Sequence, residues 1–217
     1  MRFRKLLVAA AGLSVLLLAM TLGAQTLADV AREAKQKNQN SSRRVWTNDD
    51  LRTGIPPIRL LRETVNPPSL APFEASAQTV VAAMLGIAGV QPDELVIDVG
   101  SGDGRIVIMA AEQFKARGVG IEIDETLVAV SRQTIQQKGL EERVRIVQAN
   151  ALDVDLSPAD VVTLYLTPRG LETLRPHLER TLRPGTRVVS NTFEVPGWTP
   201  AQTAEVEGKP IFLYRIR

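Results

Sequence analysis

The run Asp98-Val99-Gly100-Ser101-Gly102-Asp103-Gly104 combines two carboxylates with glycines at alternate positions. Alternate glycines reach backbone angles closed to other residues and let a ligand lie directly against the main chain, so the loop can cradle a small molecule. A dinucleotide-binding G-x-G-x-x-G would need a small residue at position 105, where this chain has Arg105. The spacing therefore favours a methionine-and-ribose ligand over a pyrophosphate. Glu122 follows 22 residues after Gly100. A carboxylate there can accept from both hydroxyls of a ribose, with Ile123 offering an apolar face to the base. The plainer alternatives are an ordinary strand-helix turn and a solvent-facing Glu. Further on, Asn150-Ala151 can meet the amino edge of an adenine, or Asn150 can simply form a turn.

Tyr165, at the carboxyl end of the fourth expected strand where open α/β sheets gather ligands, is the candidate catalytic residue, with packing beneath the ligand as its alternative. Trp198 and Phe193 either line an acceptor pocket or pack at a sheet edge. His177, the single histidine, reads as structural. No metal-ligand cluster is visible, and the absence of cysteine excludes disulfides and thiolate chemistry.

These residues need a scaffold, and the apolar pattern supplies one. Leu95 to Val99 is a short apolar run ending in glycines, as expected of a parallel strand buried on both faces. Alternation continues with a helix over 106–114 stopped at Gly118, a strand over 119–123, a helix over 125–138 closed by Gly139, and a strand over 144–147. A strand over 161–166, a helix over 170–182 broken near Pro176 and a strand over 187–193 follow. Ser76 is expected to cap a preceding helix that runs to Gly89. The tail, 203–206, a Glu207-Gly208 turn and 211–216, predicts an antiparallel hairpin on the sheet edge. The expectation is an α/β, doubly wound, Rossmann-like sheet, mostly parallel, in a three-layer sandwich.

With 217 residues, the chain has room for one sizeable core plus appendages. Twenty-six basic and 24 acidic residues give a net charge of +2 with no long basic run, so no nucleic-acid partner is expected. Arg2, Arg4 and Lys5 precede an uncharged stretch from Leu6 to Ala24, followed by small residues. Residues 1–28 thus read as a secretory signal peptide or a membrane anchor, since such a stretch is about as long as a ~30 Å hydrocarbon core is thick. Export or anchoring follows as the expected localisation, with the side of the membrane open because basic residues flank both ends. Residues 29–73 read as a polar tether and a Pro-rich, surface-docked linker, and residues 74–217 as the catalytic domain.

VIDVGSGDGR, GVGIEID and ADVVTLYLTP resemble the successive motifs of class I S-adenosylmethionine-dependent methyltransferases over about residues 75–217. PGTRVVSNTFEVPGW together with Tyr165-Leu166-Thr167-Pro168 is similar to a bacterial group related to mitochondrial lysine methyltransferases of the ATP synthase c subunit. The resemblance implies S-adenosyl-L-methionine as cofactor. Asp98, Gly100, Gly102 and Asp103 would hold its methionine end, Glu122 the ribose and Asn150 the adenine edge, with Ser101, Gly104, Ile123 and Ala151 as neighbouring cofactor-binding candidates. It also implies a protein or small-molecule methyl acceptor, membrane-associated if the N-terminal segment anchors the chain. Two departures stand out: Asn150 where Asp is commoner, and a short connection between the fifth strand and the hairpin. A non-catalytic nucleoside-binding module and a nicotinamide-dependent oxidoreductase are the alternatives.

Overall fold

The structure, a computed structural model, describes residues 54–61 and 69–217. The expected signal or anchor over 1–28 and most of the tether lie outside the described residues. Among the described residues no helix is long and apolar enough to cross a membrane.

Twelve segments follow the predicted alternation. They are α1 (Gln78–Ile87), β1 (Leu95–Val99), α2 (Arg105–Phe114), β2 (Arg117–Glu122), α3 (Glu125–Gln137), β3 (Val144–Gln148), a single 3-10 turn (Ala151–Asp153), β4 (Val161–Leu164), α4 (Pro168–Thr181), β5 (Arg187–Asn191), β6 (Gln202–Val206) and β7 (Lys209–Arg215). The sheet order is β3-β2-β1-β4-β5-β7-β6. The first five strands are parallel, and β7 runs antiparallel to both β5 and β6. The order reverses between β1 and β4, and their carboxyl ends open the crevice where open α/β sheets hold ligands.

Every residue of β1 is buried, because strands flank it and apolar layers cover both faces. Val96 packs with α1 and α2 on one face, and Val107, Ile108 and Val128 join Val144 and Ile146 farther along that side. Leu95, Ile97 and Val99 face the opposite layer, which contains Leu171, Leu174 and Leu178 of α4. This is the expected three-layer arrangement.

Local chemistry explains where the expected boundaries move. Ser76 does not cap α1: Ala77 holds the N-cap position without a side-chain bond, and Ser76 is buried. α2 ends at Phe114 as expected, but Gly118 is not what stops it. Lys115 takes a left-handed conformation (φ 58°), Ala116 donates to the Ala110 carbonyl, and Gly118 already lies in β2. β4 and β5 end at Leu164 and Asn191, earlier than the apolar runs predict. α4 is not broken at Pro176. Thr167 caps it by accepting from Gly170 N at 3.1 Å, and Leu171, Leu174, His177 and Leu178 are buried on both sides of the proline. That continuous buried stripe outweighs the roughly 3 kcal/mol an interior proline costs. The hairpin turns through Glu207 (φ 54°) and Gly208 (φ 72°), the two positive angles of a type I′ turn.

The packed domain begins before residue 74. Ile55 and Ile58, 1% and 3% exposed, sit in the same core cluster as α4, and Leu60 bridges Val154. Part of the segment read as linker is therefore core.

Candidate active site

The loop after β1 is tied to β2 by its backbone. Gly100 N and Ser101 N both donate to the Ile121 carbonyl, at 2.9 and 3.0 Å, and Gly102 N donates to Glu122 Oε2 at 2.7 Å. Gly100 and Gly102 have φ of 73° and 55°, angles that keep the loop turned back over the strand ends. The Glu122 carboxylate is buried and also accepts from Ile123 N (2.7 Å) and Asp124 N (2.9 Å). Three backbone donors thus fix it before any ligand arrives.

Around this loop lies a cavity of about 460 Å³, within the range of small-molecule sites, roughly 300–1,000 Å³. It brings together Asp98, Gly100, Ser101, Gly102, Asp103, Glu122, Ile123, Asn150, Ala151 and Tyr165. Gly104 is the one predicted site residue outside its walls. A Cβ there would press on Ser131 and Ile146, so Gly104 serves the seating of α2 as its N-cap. Ser101 borders the cavity, yet its hydroxyl lies against Gly120 of β2.

Asp98 is the most perturbed group. Burial pushes its carboxyl up to about 7, with the charges of Glu122 and Asp103 adding to the rise and a bond from Thr163 Oγ1 (2.7 Å) opposing it. Burial acts upward on Asp103 too, but the Arg105 guanidinium, 2.5 Å away, brings it below the ordinary range. Arg105 also donates to the Ser76 carbonyl at 2.6 Å, so the residue that departs from the dinucleotide pattern ties the loop to the segment before α1.

Asn150 is turn-forming, as one of its readings has it. It borders the cavity, and its Oδ1 caps the 3-10 turn by accepting from Leu152 N at 3.1 Å. Tyr165 lies on the wall just after β4, where its hydroxyl accepts from Lys209 Nζ at 3.1 Å. Trp198 and Phe193 are not among the lining residues. Trp198 packs edge-to-face on Tyr214 and donates to Glu179, which is the edge-packing reading. His177 is buried between the Val154 carbonyl and Arg180. Among the described residues no group of side chains is arranged to hold a metal.

The segment 69–76 was missed as part of the site. Phe73 lies over Gly102, and Glu74 reaches Lys209. Pro72 and the prolines that precede the segment suggest a connector, and no sequence pattern marks its two ends as pinned.

Residues 98–202 match the ANTKMT methyltransferase domain. A protein-lysine N-methyltransferase of Saccharolobus islandicus is 41% identical over 150 residues, spanning 67% of this chain and 93% of that protein. The chain belongs to the class I S-adenosylmethionine-dependent methyltransferases. The crystal structure of an RNA methyltransferase from Salinibacter ruber, in complex with S-adenosyl-L-homocysteine, superposes with a TM-score of 0.65 at 43% identity, covering 66% of this chain and 94% of that one. The mouse adenine nucleotide translocase lysine N-methyltransferase is 31% identical over 59% of this chain, which spans only 56% of that protein.

S-adenosylmethionine is the cofactor of this methyltransferase, and the cavity fits it. The glycine loop borders the cavity through Gly100 and Gly102, with the half-exposed Phe73 ring lying over Gly102. A deeply buried carboxyl at Asp98 with one hydroxyl donor favours a cation beside it, and Glu122 adds carboxylate acceptors near the end of β2.

Proposed function

We propose that this methyltransferase modifies the side-chain amine of a protein lysine, with the cofactor held along the loop after β1 and the acceptor nitrogen at Tyr165. Asp98 would meet the ammonium of the cofactor's methionine, Glu122 its ribose and the Asn150-Ala151 turn its adenine. The bound cofactor supplies a methyl group already activated on a sulfonium. The protein's own work is then to align the acceptor and exclude water, and Leu166, Phe73 and Ala71 on the cavity wall serve the second task. An amine must shed its proton before it can attack, and the Tyr165 hydroxyl can orient the nitrogen while it does so.

The observation that carries the lysine reading is that Tyr165, on the wall of the cavity, already accepts a hydrogen bond from a lysine ammonium. The name of the Saccharolobus islandicus relative agrees with it. The Salinibacter ruber structure, named as an RNA methyltransferase, supplies a second reading. The near-neutral charge and the lack of a basic run speak against a polyanionic acceptor.

The test offers radiolabelled donor to the full-length chain together with separated protein, membrane and RNA fractions. Label on lysine in protein is expected. Label confined to RNA, or none that depends on an acceptor, overturns the reading. We further infer that residues 6–24 export or anchor the chain. Mass spectrometry of the mature N-terminus decides between a cut after Ala24 or Ala28 and an intact Met1, and a soluble chain with Met1 intact refutes both.

A further inference from the structure

Three segments distant in sequence meet at Tyr165. Lys209 Nζ lies 3.1 Å from the Tyr165 hydroxyl, 3.2 Å from Glu74 Oε1 and 5.2 Å from the centre of the Tyr165 ring. Glu74 belongs to the segment before α1, Tyr165 follows β4, and Lys209 opens β7. The sheet register brings the strand ends level: Leu164 lies opposite Ser190, and Asn191 opposite Ile211. Thr192 then takes a φ of 70°, unfavourable for a β-branched residue, while its N–H donates to the Pro210 carbonyl at 2.8 Å. The strained backbone thus lies beside the start of β7, where the lysine sits, and such strain persists only where its surroundings enforce it.

A carboxylate, a phenolic oxygen and an aromatic face together suit an alkylammonium ion. Glu74 and Tyr165 line the cavity, whereas Lys209 reaches them from outside its walls. The Tyr165 hydroxyl and the Lys209 charge hold the Glu74 carboxyl below its ordinary range, so it is ionised and ready for a cation. The Glu74 side chain is 66% exposed, which makes its pairing with Lys209 weak enough to exchange.

We propose that Glu74 and Tyr165 form the receiving site for the acceptor's side-chain ammonium, and that Lys209 fills this site as an internal surrogate until the acceptor displaces it. The proposal rests on the lysine reading above and adds to it the groups that select a cationic amine. Displacement exchanges one ammonium for another, so the hydrogen bonds and the charge balance survive. A neutral hydroxyl acceptor could not replace the charge, and the tethered lysine would outcompete it.

The experiment titrates n-butylammonium, a minimal lysine side chain, into the full-length chain loaded with S-adenosylhomocysteine. Lys209→Met should tighten amine binding by about three- to fivefold, since an exposed pair is worth little more, while Lys209→Arg should behave as wild type because the surrogate charge persists. Adding Glu74→Gln to Lys209→Met should remove the gain. n-Butanol should not bind, and S-adenosylhomocysteine affinity should vary by less than about twofold in Lys209→Met and Lys209→Arg, whose lysine lies outside the cavity walls. Unchanged or weaker amine binding in folded Lys209→Met, or a gain that survives Glu74→Gln, overturns the proposal. Failure of folded wild type to bind S-adenosylhomocysteine overturns the site reading and this proposal together. Intact binding of that ligand with no amine response overturns this proposal alone.

Discussion

Asp98 and Glu122 are both buried carboxylates, but their surroundings assign them different work. Glu122 accepts from three backbone N–H groups, so it braces the loop as well as facing the cavity. Glu122→Ala should weaken S-adenosylhomocysteine binding by ~1–3 kcal/mol by calorimetry, and it should also lower the melting temperature, because three donors lose their acceptor. A purely ribose-binding acid would leave the melting temperature unchanged. Asp98 predicts a pH dependence. Its folded pKa, about 7, lies above the ordinary 3.8, so the folded state holds a proton that the unfolded chain releases. The stability it contributes is fully present below pH 3.8 and is lost as pH rises through about 7. Relative to Asp98→Asn, the ligand-free protein should therefore lose at least about 1 kcal/mol over that window, roughly 2–4 °C in Tm. Ligand binding should run the other way, tightening as pH rises through about 7 because the ionised carboxyl attracts the ligand's ammonium. A flat calorimetric profile would remove Asp98 from the binding site. The carboxylates and glycines were legible as residues because their spacing alone suggests a ligand loop. The three backbone donors on Glu122 and the perturbed Asp98 were not, since both depend on what folding places around them.

At the scale of elements, the segment 69–76 acts as a strap whose two ends are anchored. Thr167 Oγ1 donates to the Leu70 carbonyl at 3.0 Å beside the first turn of α4, and Arg105 holds the Ser76 carbonyl at the first turn of α2. Gly170 packs directly beneath the Leu70 carbonyl, so a Cβ would run into backbone that cannot step aside. Gly170→Ala should cost ~1–3 kcal/mol in urea unfolding and speed proteolysis between Ser69 and Ser76. Gly102→Val meets a softer obstacle, the half-exposed ring of Phe73, together with an unfavourable positive φ. It should leave a folded protein that no longer binds S-adenosylhomocysteine, and unchanged affinity in a folded variant would contradict the cradle. Helix and strand order was readable because apolar period reports burial. Pro176 was misread because the pattern shows the cost of the proline and not the buried stripe of α4 that offsets it.

For the whole molecule, the decisive feature is where the domain starts. Ile55 and Ile58 are buried in the layer beneath the sheet, and Asn48–Arg217 forms one compact unit. A chain of residues 48–217 should fold and bind S-adenosylhomocysteine. One of residues 74–217 should be less stable by several kcal/mol, since emptying each isoleucine site costs roughly 2–5 kcal/mol, and it should lose binding along with the strap. Equal melting temperatures for the two would show that the early segment is dispensable. By itself, the sequence determined the strand and helix order, the loop that holds the cofactor and the acid at the end of β2. Those are local signals, carried by apolar period and by glycines next to carboxylates. Only the tertiary structure decided that a proline-rich segment closes the cavity, that Arg105 anchors it, and that Glu74, Tyr165 and Lys209 share one site. Side chains separated by as many as 135 positions leave no periodic trace, and it takes both the strand register and the anchored strap to bring them within hydrogen-bonding distance.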